Sequence, residues 1–292
     1  MRRVDLVTVG DVMIDVRVEA GALARGGDVH GHVLVRPGGG AANAAVWAAW
    51  SGARTRVIGR VGDDVGGRVV REALAERGVQ ASLTVDPEQP TGTMLVVFEA
   101  GERSMVADRG ANARLSLDEL PVSIHAGAVL VSGYQLLQAD SRAAAVAALR
   151  RAEAPYVAVD PASWPLVEAF GAERFLEETA PANTILANEN EARSLTGAEG
   201  DAALRALAKR YAVACVKLGA RGALLSFQGD LFEEPGVAVE EIDPTGAGDA
   251  FGGVLLGALA RGTSPRDALR RACRAGALQA SRAVAWPERE DA

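Results

Sequence analysis

One run of small residues closes on a carboxylate: Asp243-Pro244-Thr245-Gly246-Ala247-Gly248-Asp249, heading the apolar helical stretch that follows. Small residues at 246–248 leave the first backbone N–H groups of that helix bare, and such groups bind anions. An aspartate on a first helical turn is ordinarily a dipole partner. Beside a bound phosphate it is repulsive unless it has a task, such as accepting the proton of an attacking hydroxyl.

Four other motifs carry polar chemistry. Pro37-Gly38-Gly39-Gly40-Ala41-Ala42-Asn43 is a glycine run opening a helix. It fails as a dinucleotide fingerprint because Asn43 stands where glycine is required, but an amide there can donate to and accept from a polyol. Asp11 follows the first strand directly, at the edge where a small polar ligand is met, and suits vicinal hydroxyls; Asp15 does the same or closes a turn. Asn188-Glu189-Asn190-Glu191 offers Asn188 and Glu191 toward Mg2+ or its waters, and is equally a helix-capping composition. Lys217-Leu218-Gly219-Ala220-Arg221-Gly222 reads as a strand end and a turn.

Composition removes several classes. Of 31 Lys and Arg only Lys209 and Lys217 are lysines, and neither follows a glycine, which excludes a Walker A loop. A net charge of −7 argues against nucleic acid or an anionic membrane surface as partner. Cys215 and Cys273 read as buried thiols, and His30-Gly31-His32 as loop rather than metal site. No apolar stretch has the length of a signal peptide or membrane span, so a cytoplasmic protein is expected.

These motifs need a frame. Short Val/Ile/Leu runs (4–9, 56–61, 128–131, 156–160, 184–187, 213–218) alternate with helical segments (41–51, 65–77, 141–152, 190–195, 202–211, 246–260, 265–281). That pattern predicts a three-layer α/β/α core around a mainly parallel sheet, in one domain over 1–292. Two strand-rich inserts, about 12–36 and 91–108, lack crossover helices. The second reads as a hairpin turning at Gly101-Glu102. Paired with each other, they would form a small β-sheet lid over the site; otherwise they are surface loops.

In this order the motifs resemble the PfkB, or ribokinase-like, family of carbohydrate kinases. Gly38–Asn43 is similar to its first pattern and Asp243–Asp249 to its second. Gly10-Asp11, Gly59–Asp64, Thr91-Gly92, Arg109–Asn112, Asn188–Glu191 and Gly219–Gly222 fall where members carry similar stretches. The resemblance implies a ribokinase-like fold moving the γ-phosphate of MgATP to a sugar hydroxyl. It makes Asp249 the general base and Gly246, Ala247 and Gly248 the backbone anion hole. Asp11, Asp15, Gly39, Gly40 and Asn43 would hold the sugar. Asn188 and Glu191 would organise Mg2+, and Lys217, Gly219 and Gly222 would line the nucleotide site. It further implies a monovalent cation such as K+ near Asp243 and Thr245. The tail 281–287 has no glycine where relatives place one, which argues against K+. Lid strands imply a homodimer through the lid.

Arg109 bears on the acceptor. It meets a substrate acid group, as in a 2-keto-3-deoxy-aldonate, or pairs with a nearby acid such as Asp108 and leaves a neutral pentose or hexose. Nucleosides rank below both, because the lid stretches offer only Phe98 for stacking. A non-catalytic binding relative would have lost the base or the cradle, and both are intact. A nicotinamide oxidoreductase lacks its fingerprint.

Overall fold

In the computed structural model, residues 3–99 and 102–287 are described. The chain enters through β1 (Leu6–Val9) and leaves the main sheet at once for β2 (Met13–Ala20) and β3 (His32–Gly38). Helix α1 (Gly40–Trp50) returns it to β4 (Thr55–Gly62), and α2 (Val65–Glu76) leads to β5 (Gln80–Asp86). A second excursion, β6 (Gly92–Glu99) and β7 (Glu102–Asp108), follows; Gly101 of the expected turn lies outside the described residues. Past the short β8 (Ile124–His125) come β9 (Ala128–Ser132), α3 (Gly133–Leu137) and α4 (Arg142–Arg151). Then β10 (Ala152–Glu153) pairs with β8, and β11 (Tyr156–Asp160) precedes α5 (Trp164–Phe170) and α6 (Ala172–Glu178). The rest is β12 (Thr184–Asn188), α7 (Glu189–Thr196), α8 (Gly200–Ala208), β13 (Val213–Lys217), the hairpin β14 (Ala223–Phe227) and β15 (Asp230–Glu234), α9 (Ala247–Ala260) and α10 (Pro265–Ala280).

Nine strands form the main sheet in the order β15-β14-β13-β12-β11-β9-β1-β4-β5. All neighbours are parallel except the terminal β13-β14-β15 meander. Burial on both faces explains the continuous apolar runs. Val7, Val9, Val129, Val131, Val157 and Val159 pack under α4–α8, while Leu6, Ala128, Leu130 and Leu186 pack under α1, α9 and α10. The expected core strands hold to within two residues. Sequence periodicity missed β5 and β14-β15, because β5 and β15 are polar, half-exposed edge strands and β14 follows Gly222 without a break.

Helix α9 is apolar all round because the sheet, α1 and α10 surround it. Its approach to α1 is close enough to demand glycine: a Cβ on Gly253 would lie 2.1 Å from the Ala44 carbonyl oxygen. That contact sets the distance between the first turns of the two helices.

The two inserts do pair. β2 runs parallel to β6 with Met13 opposite Gly92, and the four strands order as β3-β2-β6-β7. Pro37 is tolerated because β3 is an edge. Alternation brings Arg103, Met105 and Ala107 of β7, with Met13 and Asp15 of β2, to one cavity lining, which makes this sheet a cover over the carboxyl end of the main sheet.

Candidate functional site

Loops at the carboxyl ends of β1, β9, β11, β12 and β13 meet the first turns of α1 and α9 around a cavity of about 440 Å³. A second, largely apolar cavity of about 410 Å³ adjoins it. Lys217, Pro244 and Gly248 line both.

Asp249 lies on the first turn of α9, after Gly246 in the left-handed conformation (φ 79°). Asn43 Nδ2 donates to Asp249 Oδ2 at 2.9 Å, and Trp286 Nε1 donates to Asn43 Oδ1 at 2.8 Å, which fixes which way the amide points. Burial pushes the Asp249 carboxyl up to about 7; the Asn43 bond pulls against that shift and the Asp160 charge adds to it. A carboxylate so tuned is poised to take a proton near neutral pH. The ring of contacts makes Asn43 an orienting group for Asp249 before it is a polyol ligand.

The anion cradle is narrower than expected. The Ala247 N–H is spent on the Pro244 carbonyl at 3.1 Å, whereas among the described residues no such loop bond engages the N–H of Gly246 or Gly248. A Cβ on Gly248 would meet Lys217 Nζ at 3.3 Å, so an ammonium stands beside the cradle. Lys217 Nζ donates to Asp160 Oδ2 at 2.7 Å. Burial alone would lower the Lys217 pKa, but the Asp160 and Glu191 charges reverse this and raise it, keeping the cation. Sequence reading missed Asp160 at the end of β11; its only signal was its place at a strand's carboxyl edge.

Asp11, 2% exposed, accepts from Gln135 Nε2 at 2.7 Å and from Arg109. Arg109 also lies over the Tyr134 ring, 5.0 Å from its centroid. Its partner is therefore Asp11 and not Asp108, whose carboxylate instead accepts from the Gly110 N–H at 3.0 Å. Gly39 adopts φ 94° and a Cβ there would sit 2.5 Å from the Asp11 carbonyl oxygen, so the glycine run lets α1 start against the β1 loop. Asn112 clamps Val12 through both of its amide atoms, at 2.9 and 3.0 Å. Asp15 closes no turn: it sits within β2 opposite Arg36 and lines the cavity with Gly39 and Gly40. Burial, helped by the Asp243 charge, raises it to about 7.

Asn188 and Glu191 reach the same cavity, yet each first serves the other. Asn188 Oδ1 accepts from the Glu191 N–H at 2.9 Å, and Glu191 accepts from the Asn188 backbone and side-chain amides at 2.8 and 2.6 Å. Burial and the Asp160 charge raise Glu191 to about 7. The capping expectation is met by this pair, which also lines the cavity. Among the described residues no group of three His, Cys, Asp or Glu is placed to hold a metal. A divalent ion here would be held through phosphate and water with Glu191 or Asn188 alongside, as suits Mg2+.

Gly219 and Gly222 line the apolar cavity with Val237, Val239, Phe251 and Ala277. Cys215 and Cys273 are both buried and free, and Cys273 faces that cavity. Phe98 instead lies under Arg17 on the lid, 3.9 Å from ring centroid to guanidinium, and lines no part of the two cavities. Asp243 and Thr245 bind the lid: Arg17 donates to Asp243 Oδ2 at 2.5 Å and Arg103 to Thr245 Oγ1 at 3.1 Å. No helix among the described residues is long and apolar enough to cross a membrane.

The model of the pfkB family carbohydrate kinases matches residues 4–286. A fructokinase of Escherichia coli is 32% identical over 271 residues, 87% of this chain and 84% of that one. A 2-dehydro-3-deoxygluconokinase of Thermoproteus tenax is 32% identical over 293 residues, 94% and 88% of the two chains. Among solved structures, a double mutant of the fructokinase of Vibrio cholerae O395, in a form bound to fructose, ADP and potassium ion, superposes with a TM-score of 0.78. It is 28% identical, with 98% of this chain and 95% of that chain covered.

Proposed function

Because this chain belongs to the pfkB family of carbohydrate kinases, we propose that it transfers the γ-phosphate of MgATP to a hydroxyl of a neutral sugar. The observation that carries this reading is the place of Asp249, held by Asn43 in the polar cavity and next in sequence to Gly248, which lines both the polar cavity and the apolar one. The polar cavity takes the acceptor, between Asp11, Asp15 and Asn43. The apolar one, with Gly219 and Gly222, takes the adenine of ATP.

Asp249 draws the proton from the acceptor hydroxyl as that oxygen attacks the γ-phosphorus, whose bond to the β–γ bridging oxygen breaks so that ADP leaves. The N–H groups of Gly246 and Gly248 and the Lys217 ammonium take up charge on the transferred group. Asn188 and Glu191 would stand alongside Mg2+, which when bound would supply neutralisation of phosphate charge. Lid side chains Met94 and Met105 close over the acceptor and exclude water.

A neutral acceptor follows from charge balance. Among the described residues lining the polar cavity, the cations are Arg103, Arg109 and Lys217, and each already faces a carboxylate of the protein. A sugar acid is the second reading, favoured by Arg109 Nε, which is buried without a partner. Among the described residues lining the polar cavity, Tyr134 alone offers a ring for stacking a nucleoside base. An ADP-release assay over neutral sugars, sugar acids, sugar phosphates and nucleosides tests the reading: neutral sugars should give the highest kcat/KM. No ADP above background with any acceptor would leave a binding protein.

The reading extends to a homodimer through the lid, supported by the unpaired edge of β3 and by Val33 and Val35, 59% and 53% exposed on it. Light scattering should give twice the chain mass, falling to one chain in Val35→Lys.

A further inference from the structure

The loop that carries the anion cradle is held from behind by one buried side chain, Gln279 of α10, 1% exposed. Gln279 Nε2 donates to the Thr245 carbonyl at 2.9 Å and to the Val284 carbonyl at 3.0 Å. The amide has one workable orientation, since the reverse would set Oε1 against two carbonyl oxygens. Thr245 belongs to the cradle loop and Val284 to the tail after α10. That tail is fastened to α1, where Trp47 Nε1 donates to the Ala285 carbonyl at 3.0 Å and Trp286 bonds Asn43. Gln279 thus joins the two segments that flank Asn43 and Asp249.

Converging carbonyl oxygens are also what binds a monovalent cation, and the related fructokinase structure contains potassium ion. Here two such oxygens share one donor nitrogen, so an ion would have to displace it. The nearby Asp243 carboxylate is likewise compensated, by Arg17 and Arg103 from the lid. A cavity of about 30 Å³, lined by Asp15, Asp243, Thr245, Gln279 and Val284, adjoins these groups, yet with the Gln279 nitrogen on both carbonyls they fit a monovalent cation only if that side chain turns away.

We propose that Gln279 is a built-in, uncharged substitute for a monovalent cation. It is a positioning residue that holds Thr245, and through it Gly246–Gly248, in place, so that the protein is indifferent to K+. This rests on the proposed kinase function only for its consequence in catalysis; the structural claim is independent of it.

Thermal unfolding in equal concentrations of KCl and tetramethylammonium chloride tests the claim without any acceptor. Wild type should melt at the same temperature in both. Gln279→Ala bares two buried carbonyls and should melt roughly 2–6 °C lower in tetramethylammonium, with part of the loss recovered in K+. Gln279→Lys, whose ammonium can serve both carbonyls, should lose the K+ response. Emission from Trp47 and Trp286 should follow K+ in Gln279→Ala and not in wild type. A K+-specific rise in the wild-type Tm overturns the proposal, as does a Gln279→Ala protein with no K+-specific recovery. Should that variant fail to fold, the wild-type comparison decides alone. Absence of ADP release with every acceptor would remove the kinase reading and leave this comparison standing.

Discussion

Asn43 and Asp249, 206 residues apart, meet through a hydrogen bond of 2.9 Å between the first turns of α1 and α9. The amide cannot turn away, because Trp286 holds its oxygen from the other side. One helix therefore orients the carboxylate and the other aims the cradle at the same point, which is the preorganisation phosphoryl transfer rewards.

Removing the carboxylate's charge should remove catalysis and spare binding. Asp249→Asn is expected to lower kcat by roughly 10²–10⁴ while leaving ATP affinity near wild type. Steady-state kinetics with the best acceptor, beside ATP titration by calorimetry, checks this. Wild-type turnover in the variant would exclude Asp249 as the base.

The pH profile should report the Asn43 bond. Asp249, raised to about 7 by burial, must be ionised to accept a proton, so kcat/KM should climb with pH and level off above about 7. The Asn43 bond favours the ionised form. Asn43→Ala should therefore shift the rising limb to higher pH as well as lower the plateau. An unmoved limb would mean that another group sets it.

Stability should run against activity. Asp15, Glu191 and Asp249 are each raised to about 7, so the folded chain holds their protons more tightly than the unfolded one, whose carboxyls titrate near 4. Their contribution is full below about pH 4, is lost as pH rises through about 7, and is constant beyond. Asp5, Asp64 and Asp86 are shifted the other way: their contribution is present above about pH 4 and is lost only below it, so it does not differ between pH 5 and pH 8. The protein without nucleotide or Mg2+ should thus have a higher Tm at pH 5 than at pH 8, and Asp249→Asn should narrow the gap. Equal Tm values at the two pH values would contradict the burial of these groups.

Helix spacing should matter at a distance. In Gly253→Ala the new methyl meets the Ala44 carbonyl, so α1 and α9 must separate, at an expected cost of about 1–3 kcal/mol. Because that contact sets the Asn43 to Asp249 distance, kcat should fall beyond what a small loss of stability explains at a temperature where the variant is fully folded. Denaturant unfolding and kinetics on the same preparation separate the two effects.

Lys217 should act on ATP. Replaced by Met, it leaves the cradle without its ammonium and Asp160 without its cation, so KM for ATP should rise and kcat fall together. An unchanged KM would place the lysine outside the nucleotide site.

Local signals carried much of this protein. Glycine runs before Asn43 and Asp249, apolar strands of the right length and strand-rich inserts without helices all announce themselves within a few residues. The sheet, its lid and both helix N-termini were legible from them. Polar edge strands β5 and β15 were not, since a half-exposed strand lacks the apolar run that marks a core one.

Partnerships across the chain had no such signal. Asp160 beneath Lys217, Gln135 and Arg109 on Asp11, and Trp286 on Asn43 join residues 57 to 243 positions apart. Even the two lysines, which exclude a P-loop on sight, concealed that one of them stands beside the cradle. Backbone periodicity and helix starts are written locally because each depends on its nearest neighbours. Which side chains meet at the sheet's edge depends on how the helices pack over two faces, and a contact such as Gly253 on Ala44 fixes that only once the whole chain is folded.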